Sequence, residues 1–327
     1  MKPVLTLTLN PAIDQVIELD RLVVGSMNRA LSSRPMTGGK GINVARVLKG
    51  FGMEVVAAGF SAGSGGNALR RTMEDEGIAN CFVTVPGEVR VNLKIHDAFD
   101  GKTTEINQPG FSVDNGSLEK LRMSVDSLLG EASAMVLAGS LPGGVPTGMY
   151  GELVLSAMKR GVPVFLDADG GNLKSGLEGH PFAVKPNRDE LQHFSGMPLH
   201  SLHDWVCAMR RFRRFGVQTI AATMGPEGVI MLNGEQAWHA AGLSVVPSCA
   251  TGAGDSTLAA MVYGWLNGLP PERTAALMCA AGGVTAGKPG VAFCTLDEML
   301  EAAERIAVRR IGPNLNIDPI HSLPTPL

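Results

Sequence analysis

The chain has 327 residues, of which 45% are apolar and 18% charged, with a formal net charge of −3. This composition predicts a soluble globular protein with a sizeable core, built as one large domain or as a core with an appendage. The near-neutral charge, free of long like-charge blocks, gives no electrostatic footprint for nucleic acid or an anionic membrane surface.

The five cysteines are widely spaced and form no CxxC pair, which is typical of buried thiols in a reducing compartment. The first residues alternate and then turn at Asn10-Pro11, so they indicate a strand rather than a signal peptide. No apolar run reaches membrane-spanning length. We therefore expect a cytoplasmic protein.

The first predicted strand, Val4 to Leu9, ends just before Asp14. Ligands of α/β proteins bind at the carboxyl ends of strands, so Asp14 is a candidate binding residue. From Val16 to Pro35 no helical period is visible, which predicts short strands outside the main sheet.

A glycine-rich turn and a helix follow in TGGKGINVARVLKGFG, where Gly38, Gly39 and Gly41 precede an apolar helical face that ends at Gly50. The turn is not a Walker A loop, because Gly41 follows Lys40 where Ser or Thr should ligate magnesium.

A second set of alternating residues runs from Phe82 to Ile95 and places Arg90 and Asn92 on one face. With Val16 to Pro35, these residues are predicted to form a small sheet that covers the site as a lid. Between the two sets the pattern indicates a buried strand at Val55 to Phe60 and a helix at Asn67 to Glu76.

The remaining chain alternates strands and helices, which predicts a parallel sheet with helices on both faces. Ser140 in AGSLPGG and Asn187 in KPNRDEL follow predicted strands and should line the same crevice as Asp14. The predicted strands are Ala134 to Ala138, Val162 to Leu166, Phe182 to Lys185 and Thr219 to Thr223; the helices are Ser117 to Leu129, Thr147 to Lys159 and Leu202 to Arg213.

The stretch CATGAGDSTL predicts a phosphoryl-transfer site. Gly252 and Gly254, with the small Ala253 between them, allow bare amides to approach an anion at a helix N-terminus. Asp255 lies in the same first turn, where it could take a proton from an attacking alcohol. An ordinary helix N-cap explains these ten residues equally well. A dinucleotide fingerprint is disfavoured, since Thr257 replaces the third glycine.

The motifs TLNPAID, GGKGINVAR, GSLPGG, KPNRDEL and TGAGDS occur in this order, and together they resemble the ribokinase-like (PfkB) family of carbohydrate kinases from Val4 to about residue 305. The lysine in GGKGINVAR and the segments SMNRA and VRVNLKI are most similar to the 1-phosphofructokinases and tagatose-6-phosphate kinases of that family. The resemblance implies an α/β/α three-layer sandwich with a mostly parallel sheet, formed by residues 1–10, 36–80 and 112–312. It also implies a β-sheet lid from 11–35 and 81–111, a C-terminal tail at 313–327, and a homodimer through the lid.

The resemblance assigns a role to each matching residue. Asp255 corresponds to the catalytic base, Gly252, Ala253 and Gly254 to the anion hole, and Asp14 to the residue that holds sugar hydroxyls. Further sugar-phosphate contacts are Gly39, Lys40, Asn43, Arg90, Asn92 and Ser140; ATP contacts are Lys185, Thr223, Gly225, Gly228 and Gly254; and Asn187 with Glu190 organises Mg²⁺, through water.

Some of these residues have simpler explanations when taken alone. Glu190 could be an ordinary carboxylate at a helix N-terminus, and Lys40 and Arg90 could be solvated surface charges. The chain also departs from the family pattern at CATGAGDS and at DADGGNL, where Asp169 and Gly171 replace a hydroxyl and an acid. These departures leave a requirement for K⁺ and the identity of the sugar open.

The leading functional hypothesis is transfer of the γ-phosphoryl group of ATP to a ketohexose phosphate, with fructose 1-phosphate first and tagatose 6-phosphate or fructose 6-phosphate next. A non-catalytic sugar-phosphate sensor and a nicotinamide oxidoreductase are alternatives of other classes. An intact Asp255 disfavours the sensor, and the failed fingerprint disfavours the oxidoreductase.

Overall fold

The computed structural model describes residues 2–245, 251–288, 290 and 292–312. The predicted tail at 313–327, and Cys249 and Ala250 of the CATGAGDS motif, lie outside the described residues. No helix in the described part of the chain is long and apolar enough to cross a membrane.

In chain order, the strands are β1 (Val4–Thr8), β2 (Ala12–Leu19), β3 (Ser32–Gly38), β4 (Val55–Ala62), β5 (Ala79–Val85), β6 (Arg90–Asp97), β7 (Thr103–Ile106), β8 (Ala134–Ala138), β9 (Val164–Asp167), β10 (Ala183–Val184), β11 (Thr219–Thr223), β12 (Gly228–Asn233), β13 (Gln236–Ala241) and β14 (Val308–Ile311). The helices are α1 (Lys40–Gly50), α2 (Gly63–Asp75), α3 (Asn115–Leu129), α4 (Met149–Lys159), α5 (Gly170–Glu178), α6 (Arg188–Ser195), α7 (Leu202–Arg210), α8 (Ala253–Leu266), α9 (Pro271–Gly287) and α10 (Leu296–Ala303).

Ten strands form one large sheet in the order β14-β13-β12-β11-β10-β9-β8-β1-β4-β5. Pairing is parallel from β11 to β5 and antiparallel at the other edge, where β12, β13 and β14 are added. The carboxyl ends of the parallel strands therefore meet at one edge of the sheet, as the alternating pattern predicted.

Helices cover both faces of the large sheet and bury alternate strand residues. In β1, Leu5 and Leu7 belong to one apolar cluster, whereas Val4 belongs to the other. The first cluster includes residues of α3, α4 and α7, and the second residues of α1, α8 and α9. Because both faces are buried, the strands read as nearly continuous apolar runs. The predicted three-layer α/β/α fold is confirmed.

A separate four-stranded sheet has the order β3-β2-β6-β7, and we call it the lid. Strands β2 and β6 are parallel, and the two outer pairs are antiparallel. In register, Asp14 on β2 lies opposite Asn92 on β6. Both side chains lie on the face that is turned toward the carboxyl edge of the large sheet.

The sheet to which a segment belongs differs from the sequence expectation at two places. Residues 81–85, predicted in the lid, belong to β5, which pairs with β4 in the large sheet. Residues 36–38, predicted in the core, instead end the lid strand β3. Alternation with period two identifies a strand but not its neighbour, so the sequence could not assign β5 to one sheet.

The antiparallel edge was also missed. Strands β12 and β13 form a hairpin in which Asn233 pairs with Gln236 across a two-residue turn. Gly234 has the positive φ of 56° that such turns require. The Asn233-Gly234 pair was the local signal for this hairpin.

The cysteines only partly match the expectation of burial. Cys279 and Cys294 are buried, but Cys207 is half-buried and Cys81 is exposed. Cys81 lies on β5, the edge strand of the large sheet, where side chains have a neighbouring strand on one side only.

Candidate active site

A pocket of about 610 Å³ lies between the lid and the carboxyl edge of the large sheet. Fourteen of the residues singled out from the sequence line it: Asp14, Gly39, Lys40, Asn43, Arg90, Asn92, Ser140, Lys185, Asn187, Glu190, Thr223, Gly252, Gly254 and Asp255. Ala253, Gly225 and Gly228 line an adjoining cavity instead. The fold thus brings together side chains from the whole length of the chain.

The N-terminus of α8 forms the floor of the pocket. Gly252 is the N-cap residue and has a φ of 82°, a left-handed conformation that favours glycine. A Cβ atom at Gly252 would lie 2.6 Å from the ring of Phe293. Both the backbone conformation and this contact therefore disfavour a larger residue. The first amides of α8 have no partner within the helix and carry the positive end of its dipole. This turn can bind an anion.

Asp255 lies in that first turn and is only 7% exposed. The side-chain amide of Asn43, on α1, donates a hydrogen bond of 2.8 Å to Asp255 Oδ2. Burial raises the pKa of Asp255 to about 6, although the bond from Asn43 opposes the increase. A carboxylate with such a pKa is still ionised at neutral pH and accepts a proton more readily than an exposed aspartate.

Asp167 was not singled out from the sequence, yet it joins two of the predicted lysines. Its Oδ1 lies 3.1 Å from the ammonium of Lys40 and its Oδ2 lies 3.1 Å from that of Lys185. Burial alone would raise the pKa of Asp167, but Lys185 and Lys40 hold it below its ordinary value. Lys40 is therefore an ion-paired residue of the pocket. The position of Asp167 at the carboxyl end of β9 was the available signal.

The lid contributes a row of polar side chains from β6. Asn92 donates a bond of 3.0 Å to Asp14 Oδ1, which orients that buried carboxylate. Arg90 donates to the carbonyl oxygens of Asn10 and Gln108. Lys94, which the sequence analysis did not single out, lies 3.5 Å from Asp14 Oδ2. Its alternation with Arg90 and Asn92 was the signal that could have identified it.

Several buried polar atoms of this pocket have no hydrogen-bond partner within the described residues. They are Thr8 Oγ1, Asn10 Oδ1, Arg90 Nε and Asn92 Oδ1. Ser140 Oγ is already engaged, since it accepts a bond of 3.1 Å from Asn10 Nδ2. A buried polar group without a partner costs about 1–3 kcal/mol, so these atoms mark where the hydroxyl and anionic groups of a ligand would bind.

Asn187 and Glu190 form a capping box at the N-terminus of α6, each side chain accepting a bond of 2.9 Å from the backbone amide of the other. Glu190 is therefore a carboxylate that caps a helix N-terminus, as its simpler explanation from the sequence stated, but it also lines the pocket. Burial, and then Asp167, raise the pKa of Glu190.

The described residues contain no group of three His, Cys, Asp or Glu side chains that could hold a metal ion. Both oxygens of Asp167 are ion-paired, and one oxygen of Glu190 caps α6. The donor set suits an ion that is held mainly by the ligand and by water, which is how Mg²⁺ commonly binds with phosphates.

A second cavity of about 270 Å³ adjoins the first, and Thr223 and Gly254 line both. Its other walls include the apolar side chains of Val229 and Leu243. Gly228 has a φ of 108°, and a Cβ atom there would lie 2.0 Å from the carbonyl oxygen of Ala240. The cavity is lined mainly by apolar and small residues, and it lies beside the N-terminus of α8.

A three-layer α/β/α core, a lid and a buried carboxylate beside an anion-binding helix N-terminus define a phosphotransferase for small molecules. The particular family follows from comparison. The model of the pfkB family carbohydrate kinases matches residues 7–299, and the chain belongs to this family.

Similar proteins with known names include 1-phosphofructokinases. A 1-phosphofructokinase of Xanthomonas campestris is 36% identical over 84% of this chain and 87% of its own length. The 1-phosphofructokinase of Escherichia coli is 30% identical over 93% of this chain and 97% of its own length. Among solved structures, a possible 1-phosphofructokinase of Thermotoga maritima has a TM-score of 0.86 at 29% identity, covering 94% of this chain and 99% of its own.

Phosphofructokinase-2 of Escherichia coli, in complex with potassium, has a TM-score of 0.87 at 26% identity and covers 93% of this chain and 99% of its own. These comparisons confirm a carbohydrate kinase of the pfkB family, a class that uses ATP.

Proposed function

We propose that this kinase transfers the γ-phosphoryl group of ATP to fructose 1-phosphate, giving fructose 1,6-bisphosphate. The observation that carries the proposal is Asp255, a buried carboxylate with a pKa of about 6, at the anion-binding turn of α8. The choice of fructose 1-phosphate over tagatose 6-phosphate and fructose 6-phosphate is supported by the names of relatives that are 36% and 30% identical.

A phosphorylated sugar suits the lid end of the pocket. Arg90 is half-buried and forms no ion pair within the described residues, and its Nε has no partner. Burial lowers the pKa of Arg90, which reflects an incompletely compensated cation. A phosphate group would supply the missing anion, whereas an unphosphorylated sugar would leave the charge unpaired.

Asp255 acts as the base in this proposal. The acceptor hydroxyl lies between Asp255 and the γ-phosphorus; its oxygen attacks phosphorus while its proton passes to the carboxylate. The Asn43 amide holds Oδ2 of that carboxylate and fixes the direction of the other oxygen. The amides of Gly252, Ala253 and Gly254, which have no partner within α8, stabilise the charge that develops on the phosphoryl oxygens.

The nucleotide lies in the second cavity, against Thr223, Gly225 and Gly228. Asp167 pairs with Lys185, the proposed contact of the nucleotide phosphates, and with Lys40, the proposed contact of the sugar phosphate, and so holds both ammonium groups in place. Mg²⁺, organised through water by Asn187 and Glu190, would neutralise phosphate charge when bound. Asp14, oriented by Asn92, accepts hydrogen bonds from sugar hydroxyls.

The deciding experiment is ADP release with a panel of acceptors: fructose 1-phosphate, fructose 6-phosphate, tagatose 6-phosphate, fructose and ribose. We expect the highest kcat/KM with fructose 1-phosphate. A higher value with a free sugar would contradict the assignment of Arg90 to a phosphate, and no release with any acceptor would favour a sugar-phosphate sensor. Because one structural relative was solved with potassium, the assay is run in KCl and in tetramethylammonium chloride to measure any use of the ion.

A further inference from the structure

Lys94 lies on lid strand β6, on the same pocket-facing side as Arg90 and Asn92. Its side chain is 13% exposed. The ammonium has three neighbours, at 3.5 Å from Asp14 Oδ2, 3.6 Å from Glu105 Oε1 and 3.4 Å from Thr251 Oγ1. Two of these belong to the lid and the third to the turn that begins α8.

All three contacts are long. Charge-assisted hydrogen bonds between nitrogen and oxygen usually measure about 2.7–2.9 Å. The buried lysine of the same pocket, Lys185, approaches Asp167 to 3.1 Å. Lys94 is therefore a largely buried cation that is surrounded by oxygen atoms without a close bond to any of them. A phosphoryl oxygen could become a better partner without breaking a strong contact.

The position of Lys94 indicates which anion it meets. Arg90 reaches the carbonyl oxygen of Asn10, near the end of β1, whereas Lys94 reaches Thr251, which precedes the N-cap residue Gly252. The backbones of the two cations are about 13 Å apart along the strand at ~3.3 Å per residue. A sugar phosphate whose phosphate binds Arg90 and whose hydroxyls bind Asp14 would direct its other end toward Lys94 and α8.

We propose that Lys94 contacts the phosphoryl group during its transfer and that it acts as a catalytic residue supplied by the lid. This inference rests on the proposed function. In the step, the acceptor oxygen forms a bond to the γ-phosphorus and the bond from phosphorus to the β,γ-bridging oxygen breaks. The electron pair stays with ADP and the hydroxyl proton goes to Asp255. Lys94 keeps its protons and stabilises the negative charge on the transferred group.

The arrangement makes phosphoryl transfer depend on the sugar. Asp14 is the carboxylate nearest to Lys94, and in the proposed function it also receives the sugar hydroxyls. When hydroxyls occupy that carboxylate, its hold on the Lys94 ammonium weakens, and the cation becomes available to the phosphoryl group. Without a sugar the lid cation stays shared with Asp14, which disfavours transfer to water.

The test compares Lys94→Gln with Lys102→Gln, which removes the same charge from an exposed turn of the same lid. We expect Lys94→Gln to lower kcat about tenfold to a hundredfold and to change the KM values for sugar and ATP less than about threefold, the pattern of a lost transition-state contact. Binding of ADP with aluminium fluoride and the sugar, a mimic of the transferred group, should weaken similarly while binding of ADP alone does not. Lys102→Gln should match the wild type in all these measurements.

A kcat within twofold of the wild type, or a loss confined to the KM of the sugar, would overturn the proposal. If Lys94→Gln lowers the melting temperature, the variant Lys94→Arg separates a catalytic from a structural role, because it keeps the positive charge. Lys94→Arg should recover part of the kcat that Lys94→Gln loses. A folded Lys94→Arg variant with no recovery of kcat also overturns the proposal. All ratios are measured with the acceptor that the wild type uses fastest, so a wrong substrate assignment and a wrong role for Lys94 give different results.

Discussion

At the scale of single residues, Asp255 combines two demands that conflict. Its burial makes it a better base, and the same burial makes its ionised form costly to the fold. With a pKa near 6 in the folded state and near 3.8 when unfolded, the folded protein binds more protons between these values. The free energy of unfolding should therefore decrease as pH rises through this window, and the destabilisation by ionised Asp255 is complete above pH 6.

The substitution Asp255→Asn tests both consequences. We expect kcat to fall by about 10² to 10⁴, since the base is lost. The unfolding free energy should increase at pH 8 by up to about 3 kcal/mol, at ~1.4 kcal/mol per unit of pKa, and should not change at pH 3. The wild-type kcat/KM should decrease as pH falls through about 6. Turnover above half the wild-type value would show that Asp255 is only part of a helix terminus.

Arg90 is the residue on which recognition of a sugar phosphate depends. Arg90→Ala should raise the KM for the phosphorylated sugar about tenfold to a thousandfold, roughly 1.5–4 kcal/mol for one charge-assisted contact, and leave the KM for ATP nearly unchanged. Arg122→Ala is a suitable control, because Arg122 pairs with Glu152 on the exposed surface of the core. Equal effects on phosphorylated and free sugars would remove Arg90 from the phosphate site.

At the scale of elements, the N-termini of α6 and α8 both contribute to the site. The turn before α8 offers amides to an anion, whereas α6 begins with a capping box that satisfies its own amides. The two termini thus have different uses. One leaves donors free for a ligand, and the other fixes a carboxylate at the edge of the pocket.

Glu190→Gln separates the structural from the functional role of that carboxylate. The side-chain oxygen of the introduced glutamine can still cap α6, so the melting temperature should hardly change, but the loss of charge should raise the Mg²⁺ concentration needed for half-maximal rate. Asp204→Asn in the capping box of α7 is the matched control and should leave the Mg²⁺ titration unaltered. An unchanged titration for both variants would exclude Glu190 from the metal site.

At the scale of the whole molecule, apolar exposure is concentrated on the lid. Six of the ten large apolar side chains exposed in the described ranges lie on its strands or connections: Val23, Val24, Met27, Leu31, Phe99 and Ile106. A small sheet is not stable alone in water, and such a concentration of apolar surface marks an interaction site. We expect two copies of the chain to associate through their lids.

Light scattering at micromolar concentration should report a dimer. Val24→Asp combined with Met27→Asp should produce a monomer, because both side chains are more than 80% exposed on the lid and would place charge in the interface. Met123→Asp alters a similarly exposed apolar residue on α3 of the core and should leave the dimer intact. A fully active wild-type monomer would contradict this prediction.

The sequence by itself determined the parts of this protein that depend on neighbouring residues. The glycines around Gly252, the start of α8 and the capping pair of α6 are set by backbone conformation and short-range hydrogen bonds. Regular alternation of strands and helices was likewise sufficient for the α/β class and for the edge at which Asp14 and Asn187 meet.

Only the tertiary structure decided which distant side chains meet and which sheet each strand joins. Asn43 reaches Asp255 across 212 positions of sequence, and Lys40 reaches Asp167 across 127. Such contacts follow from the order of the strands in the sheet, which local periodicity does not specify. For the same reason, the sequence pattern assigned part of β5 to the lid instead of the large sheet. The ion pairs of Asp167 and the long contacts of Lys94 could not be predicted. The sequence around a charged residue has the same pattern whether its side chain is exposed to solvent or buried in a cluster of charges.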